Sequence, residues 1–148
     1  MPNTTPHHYR VHLVQEGDGA VLTDGMKPAI VGGPPPQFGG FADWWSPEHL
    51  LVAAASLCFT ATFRALAARG GLTIDAFTSD ADATLDRAPS GFAFVSIDLR
   101  VNVRVAAGQS DLALRLLASA KQHCIVANSL KAPVDLVASV AEELLLPA

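Results

Sequence analysis

The segment from Ser46 to Gly71 constrains the fold of this chain more than any other. Ser46 is a good N-cap, Pro47 suits the first helical position, and Glu48 complements the positive end of the helix dipole. Gly70-Gly71 provides the stop. The spacing predicts a helix over residues 47–69, roughly 35 Å long at 1.5 Å per residue. From Leu50 to Phe63 it is apolar almost all round, which excludes an ordinary amphipathic surface helix and marks it as central. Arg64 interrupts that run after 14 residues. About 20 are needed to span a bilayer, so a buried core helix and no membrane are expected.

The segments around it read as strands. Residues 8–15 carry β-branched and aromatic residues, and shorter pieces follow at 20–23 and 29–31 with Asp24-Gly25 turning between them. The run from Gly32 to Gly40, with Pro34-Pro35-Pro36 inside it, reads as an irregular loop lying over the main body. Residues 73–87 predict a strand with one wet face, and Ala88-Pro89-Ser90-Gly91 a turn. Val95, Ile97, Leu99, Val101, Val103 and Val105 alternate strictly with polar residues, so an antiparallel strand with one buried face is expected. Ser110 reads as the cap of a second helix, on which Leu117, Ala120 and Cys124 share a stripe. Residues 128–132 connect to a last strand at 134–140. Strands, long helix, strands, helix and strand give an α+β class with mostly antiparallel sheets. One domain over residues 1–148 follows, with N-terminal strands and a Pro/Gly loop at 1–45 and a helix–strand body at 46–148. One small sheet covers such a helix poorly, so a partner subunit is expected.

Function classes narrow by exclusion. The formal charge of −4 argues against nucleic acid or an anionic membrane surface. The N-terminus has no basic start followed by an apolar stretch, so a cytoplasmic location is expected. There is no G-x-S-x-G, no phosphate-binding glycine motif and no C-x-x-C. No histidine pair carries metal-ligand spacing, so neither a metal nor another cofactor is expected.

Cys58 and Cys124 are the candidate reactive groups. Ala54, Ala55, Ala61 and Ala65 stand among the residues that share the Cys58 face of the helix. Small neighbours permit either close helix packing or a pocket above the thiol. His123 adjoins Cys124, but adjacent helical residues point about 100° apart, so adjacency is not contact.

Taken together these residues resemble a known signature. Phe38-Gly39-Gly40, then Ser46-Pro47-Glu48-His49-Leu50 running through small residues to Cys58-Phe59, is similar to the osmotically inducible protein C and organic hydroperoxide resistance (OsmC/Ohr) family. Cys124 closing a helix ahead of Asn128-Ser129-Leu130-Lys131-Ala132-Pro133 extends the likeness over nearly the whole chain. The resemblance implies an intertwined homodimer of OsmC-like fold with sites at the subunit interface. It further implies an enzyme that reduces organic hydroperoxides. Cys58 would attack the peroxide and become a sulfenic acid, Cys124 would resolve it as a disulfide, and a dithiol reductant would restore both. Glu48 matches the glutamate that holds an activating arginine in the family. It precedes Cys58 by about 15 Å of helix, so any service to Cys58 runs through a relay or a partner copy.

This chain departs from the family at that arginine: none occurs between Arg10 and Arg64. Glu16 or Gln37 stands where the pattern would place it. A thiol near its free pKa of about 8.5 is only a few per cent thiolate at neutral pH, and without a cation an alanine-lined apolar site works further against the charged form of Cys58. Lys27, Lys131 and Arg10 are the available substitutes. Two readings remain open: a thiol-dependent peroxidase, with Gln37, Phe38, Phe41, Trp44 and Trp45 at an apolar mouth, or a protein of the same fold that binds a small apolar ligand at the dimer interface or senses redox state.

Overall fold

The computed structural model describes residues 6–145. The chain divides into two compact units between Leu50 and Leu51.

The N-terminal unit is built on a three-stranded antiparallel sheet, β1 (His12–Glu16), β2 (Gly19–Thr23) and β3 (Ile30–Gly32), in that spatial order. Gly17, at φ 58°, turns β1 into β2, a conformation that glycine adopts without a steric penalty. Asp24 builds the next turn by accepting the amides of Met26 and Lys27 on Oδ1 at 3.0 and 2.9 Å. The Pro/Gly run is less irregular than its composition suggests. Pro36–Phe38 form one turn of 3-10 helix, closed by Gly39 in the left-handed region. The Phe38 and Gly40 amides both donate to Pro35 O, at 2.9 and 3.0 Å. Two further contacts, a bridge from Gly32 to Trp45 and Gly33 N–H to Trp45 O at 3.0 Å, tie the loop's far end to β3.

The long helix, α1 (Pro47–Gly70), begins as expected. Ser46 is fully buried, and its Oγ accepts the His49 amide at 3.1 Å, satisfying one orphan donor of the first turn. At the other end, Gly71 at φ 73° lets Leu72 N–H reach back to Ala67 O at 2.9 Å, a Schellman closure.

The C-terminal unit holds the core. β4 (Ile74–Ala88) and β5 (Gly91–Val105) form a long antiparallel hairpin, and β6 (Val134–Glu142) lies on the other side of β5. That second pairing is parallel, because the chain crosses over through α2 (Ser110–His123) and the short α3 (Ile125–Asn128). β5 is therefore antiparallel to one neighbour and parallel to the other. Its alternation holds from Ile97 to Val105, all five odd-numbered residues being buried. It fails at Val95, which is 42% exposed. Thr84 pairs with Ser96 and Leu85 with Phe94, so Val95 is the extra residue of a bulge and leaves the core face. Against this face pack Phe59, Phe63 and Ala67 of α1 and Ala113, Leu117, Ala120 and Cys124 at α2.

Ser110 is not the cap of α2. Gln109 holds that position without a side-chain bond, and Ser110 is the first helical residue. The helix start is instead served by Glu142, whose Oε1 accepts the Ser110 hydroxyl at 2.7 Å and the Ser110 amide at 3.3 Å. These bonds hold the Glu142 carboxyl below the usual carboxylate range.

At 24 residues, α1 is by length and composition sufficient to cross a membrane, since the helix continues past Arg64. Its one buried stripe, Ala55, Phe59, Phe63 and Ala67, is that of a core helix. Only 22% of its most apolar stretch is buried, and Leu57 stands 70% exposed.

Candidate active site

Cys58 lies midway along α1, half-buried beside the core stripe, and Cys124 is buried at the end of α2. Both thiols are free. The chain breaks helical geometry at Cys124, whose extended backbone separates α2 from α3. That break has a chemical result. The first amides of α3 have no intrahelical acceptor. One of them, Val126 N–H, donates to Cys58 Sγ at 3.5 Å. Thr62 lies one turn along α1 with its hydroxyl on Cys58 O at 2.8 Å.

The two sulfurs are consequently unequal. Burial pushes the Cys58 thiol up, but the Val126 amide, the Cys124 side chain, the Ile125 amide and the Thr62 hydroxyl outweigh it, and the net shift is downward. Burial likewise pushes Cys124 up. The Ala127 and Val126 amides oppose this, but the Cys58 side chain and its charge reinforce it, so Cys124 ends above its ordinary value. The amides of α3 therefore act on Cys58 in the direction that a cation would. A thiol lowered beside a thiol raised suits one to be the nucleophile and the other to remain protonated until called upon. Cys124 Sγ itself points back to α1, 4.0 Å from Ala55 O.

His123 takes no part. Its ring is exposed and held by Nδ1 on Ser119 O at 2.8 Å. The candidate cations are likewise occupied or peripheral. Lys27 pairs with Asp24 in an exposed turn, and Lys131 is exposed at the rim of a cavity of about 180 Å³ with Leu51 and Phe94. Arg10 is exposed.

A second feature lies wholly within the N-terminal unit. A cavity of about 470 Å³ opens between the sheet and the Pro/Gly loop. Leu13, Ala20 and Leu22 form one side; Pro34, Phe38 and Trp45 face them. Glu48 is the one charged residue lining it. Glu48 Oε2 is buried and has no hydrogen-bond partner among the described residues. Of the five residues expected at an apolar mouth, Phe38 and Trp45 line this cavity, while Gln37, Phe41 and Trp44 do not. Trp44 is used structurally: it stacks at a tilt on Phe41, ring centroids 4.6 Å apart, and covers Gly19 and Gly33, where a Cβ would stand 3.0 and 2.5 Å from its ring. Sequence proximity could not tell which indole lines the cavity. Among the described residues, no three His, Cys, Asp or Glu side chains converge as a metal site.

Comparison with known proteins gives these features a family. Residues 40–139, more than half the chain, match the family described as OsmC-like protein. The peroxiredoxin OsmC of Escherichia coli K12 is 31% identical over 91 residues, 62% of this chain and 64% of that protein, so the matched stretch spans less than two thirds of the relative. An OsmC-like protein of unknown function from Vibrio cholerae superimposes with a TM-score of 0.82 at 16% identity, over 90% of this chain and all of that one. An organic hydroperoxide resistance protein from Elizabethkingia anophelis gives 0.72 at 19% identity, over 94% and 100%. At these identities the structures speak for the fold, an OsmC-like one, and the family match carries the assignment. The chain belongs to the OsmC-like protein family.

Proposed function

We propose that this protein is a thiol-dependent peroxidase acting on organic hydroperoxides, with Cys58 as the attacking sulfur and Cys124 as the resolving one. The observation that carries this reading is the Val126 amide of α3 aimed at Cys58 Sγ at 3.5 Å, from the helix break where Cys124 stands. The Cys58 thiolate attacks the outer peroxide oxygen, the O–O bond breaks, and the departing alkoxide takes up a proton to leave as the alcohol. Cys58 is then a sulfenic acid. The Cys124 thiol displaces hydroxide from it, water leaves, and a disulfide joins the two residues. A dithiol reductant restores both thiols by exchange and becomes a cyclic disulfide. The names of the relatives, a peroxiredoxin and an organic hydroperoxide resistance protein, agree with this chemistry. A reducing compartment such as the cytoplasm suits two free thiols and such a reductant.

The working form is proposed to be a homodimer. The uncovered apolar length of α1, with Leu57 exposed in its middle, is surface that a second copy would bury. Glu48 belongs to this reading as a positioning residue; with no arginine between Arg10 and Arg64, its partner would come from elsewhere in the assembly.

The test is turnover of cumene hydroperoxide with a dithiol, followed by intact-mass analysis. Cys58→Ser should reduce consumption to the uncatalysed rate. Cys124→Ser should retain one turnover and accumulate Cys58 as a sulfenic or overoxidised species. Wild-type turnover in both variants would remove the cysteines from the site. A second reading, binding of a small apolar ligand, is favoured by the cavity of about 470 Å³ and would survive that outcome.

A further inference from the structure

The bulge in β5 adjoins a cavity of about 180 Å³ that lies wholly within the C-terminal unit. Strict alternation would put Val95 on the core face; the bulge turns it away and leaves that space unfilled. It also brings Phe94 and Ile97, three residues apart, to line one space, where a regular strand would send them to opposite faces. Leu51 of α1 and Leu130, from the connection between α3 and β6, complete the apolar walls. The volume holds about six water-sized groups, enough for a short alkyl segment.

Lys131 is the one charged residue lining this cavity, and among the described residues no ion pair engages it. Asp135, the nearest carboxylate along the chain, lies 3.9 Å from Lys121 instead. In a protein of net charge −4, a free ammonium beside an apolar cavity is a local exception to the surrounding field.

Two stretches of chain join the cavity to Cys58. On α1, Leu51 precedes Cys58 by about 10 Å on the same helix face, with Ala54 and Ala55 between them. From α3, whose Val126 amide meets Cys58 Sγ, the chain runs directly on to Leu130 and Lys131. Resting on the peroxidase reading, we infer that this cavity selects hydroperoxides that carry a carboxylate at their far end. The alkyl segment lies between Leu51, Phe94 and Ile97, the carboxylate meets Lys131, and the peroxide end reaches Cys58. Lys131 is then a specificity residue rather than a stand-in for the activating arginine.

The test compares turnover of 8-hydroperoxyoctanoate and of its methyl ester with a dithiol as reductant. The wild type should favour the free acid by about threefold in kcat/KM, the worth of an exposed ion pair, with the difference residing in KM. That preference should fade in about 0.5 M sodium chloride, as screening requires. Lys131→Gln should abolish it, and Ala93→Leu, which narrows the cavity, should raise KM for both substrates. A wild type indifferent to the carboxylate, or a preference that persists in Lys131→Gln, overturns the inference. If neither compound is turned over, the peroxidase reading fails separately, and titration calorimetry with sodium octanoate and 1-octanol decides the fate of the cavity. Tighter binding of octanoate that Lys131→Gln abolishes supports its selectivity; equal binding, or none, overturns it.

Discussion

The two units solve the problem of holding a reactive group in opposite ways. In the C-terminal unit, Cys58 and Cys124 are embedded in side-chain packing: β5 lays down a continuous apolar face, α1 and α2 cover it, and the thiols sit where the helices meet. In the N-terminal unit, the cavity around Glu48 is shaped by backbone approaching backbone. A Cβ at Gly40 would stand 1.5 Å from Pro34 O, and one at Gly32 would stand 2.8 Å from Trp45 O. One region tolerates changes of side-chain shape at a graded cost; the other admits no side chain at all at its closest points.

The largest expected effect follows from that contrast. Gly40→Ala should collapse the loop and with it the cavity, at about 4–5 kcal/mol or more, because a backbone oxygen cannot yield as a side chain does. Trp fluorescence and chemical denaturation would register the loss. Phe59→Ala, in the packed region, should cost about 3–5 kcal/mol by the same denaturation measurement, as for other buried phenylalanines. A Gly40→Ala protein as stable as wild type would erase the distinction.

A subtler change separates packing from electrostatics at the cysteines. Val126→Pro removes the amide donated to Cys58 Sγ and should raise the pH at which Cys58 is alkylated. Alkylation at pH 7 should slow by about tenfold for every pH unit that the midpoint rises. In the wild type, Cys58 should react with a lower midpoint than Cys124. The sign for stability follows. The depressed Cys58 contributes stability above its unfolded value, lost as pH falls through its folded one. The raised Cys124 contributes below its unfolded value, lost as pH rises. The smallest effect is expected of Glu142→Gln. The exposed Glu142 carboxylate stabilises the fold above its unfolded pKa of about 4.3 and loses that contribution as pH falls further. The variant should therefore show a slightly flatter acid limb in thermal unfolding.

Much of this architecture is legible in the sequence because local signals agree with one another. Ser46-Pro47 and Gly70-Gly71 bound α1 to within a residue, and the alternation of β5 holds wherever β4 keeps register with it. The misreadings have long-range causes. Ser110 has the composition of a cap, but its hydroxyl is drawn to Glu142, which lies 32 residues further along the chain. Val95 belongs to the apolar series and leaves it because of a bulge set by pairing with another strand. The downward shift of Cys58 leaves no compositional trace, since its first donor is a main-chain amide that any residue but proline would supply at position 126. A search for a replacement lysine or arginine looks at the wrong part of the polypeptide.

The mixed pairing of β5 also leads to an expected order of assembly for the core. Pro89-Ser90 alone separates β4 from β5, so that hairpin closes over a two-residue loop. β6 reaches the opposite edge of β5 only after α2 and α3 have intervened, and a parallel contact of that span is paid for late in chain entropy. Synthesis runs in the same direction. The segment that carries Cys124 is therefore expected to dock after the hairpin, and a nascent chain stalled before residue 134 would present a two-stranded ribbon whose β5 edge, which β6 covers in the folded unit, is still bare and open to pairing with a neighbour.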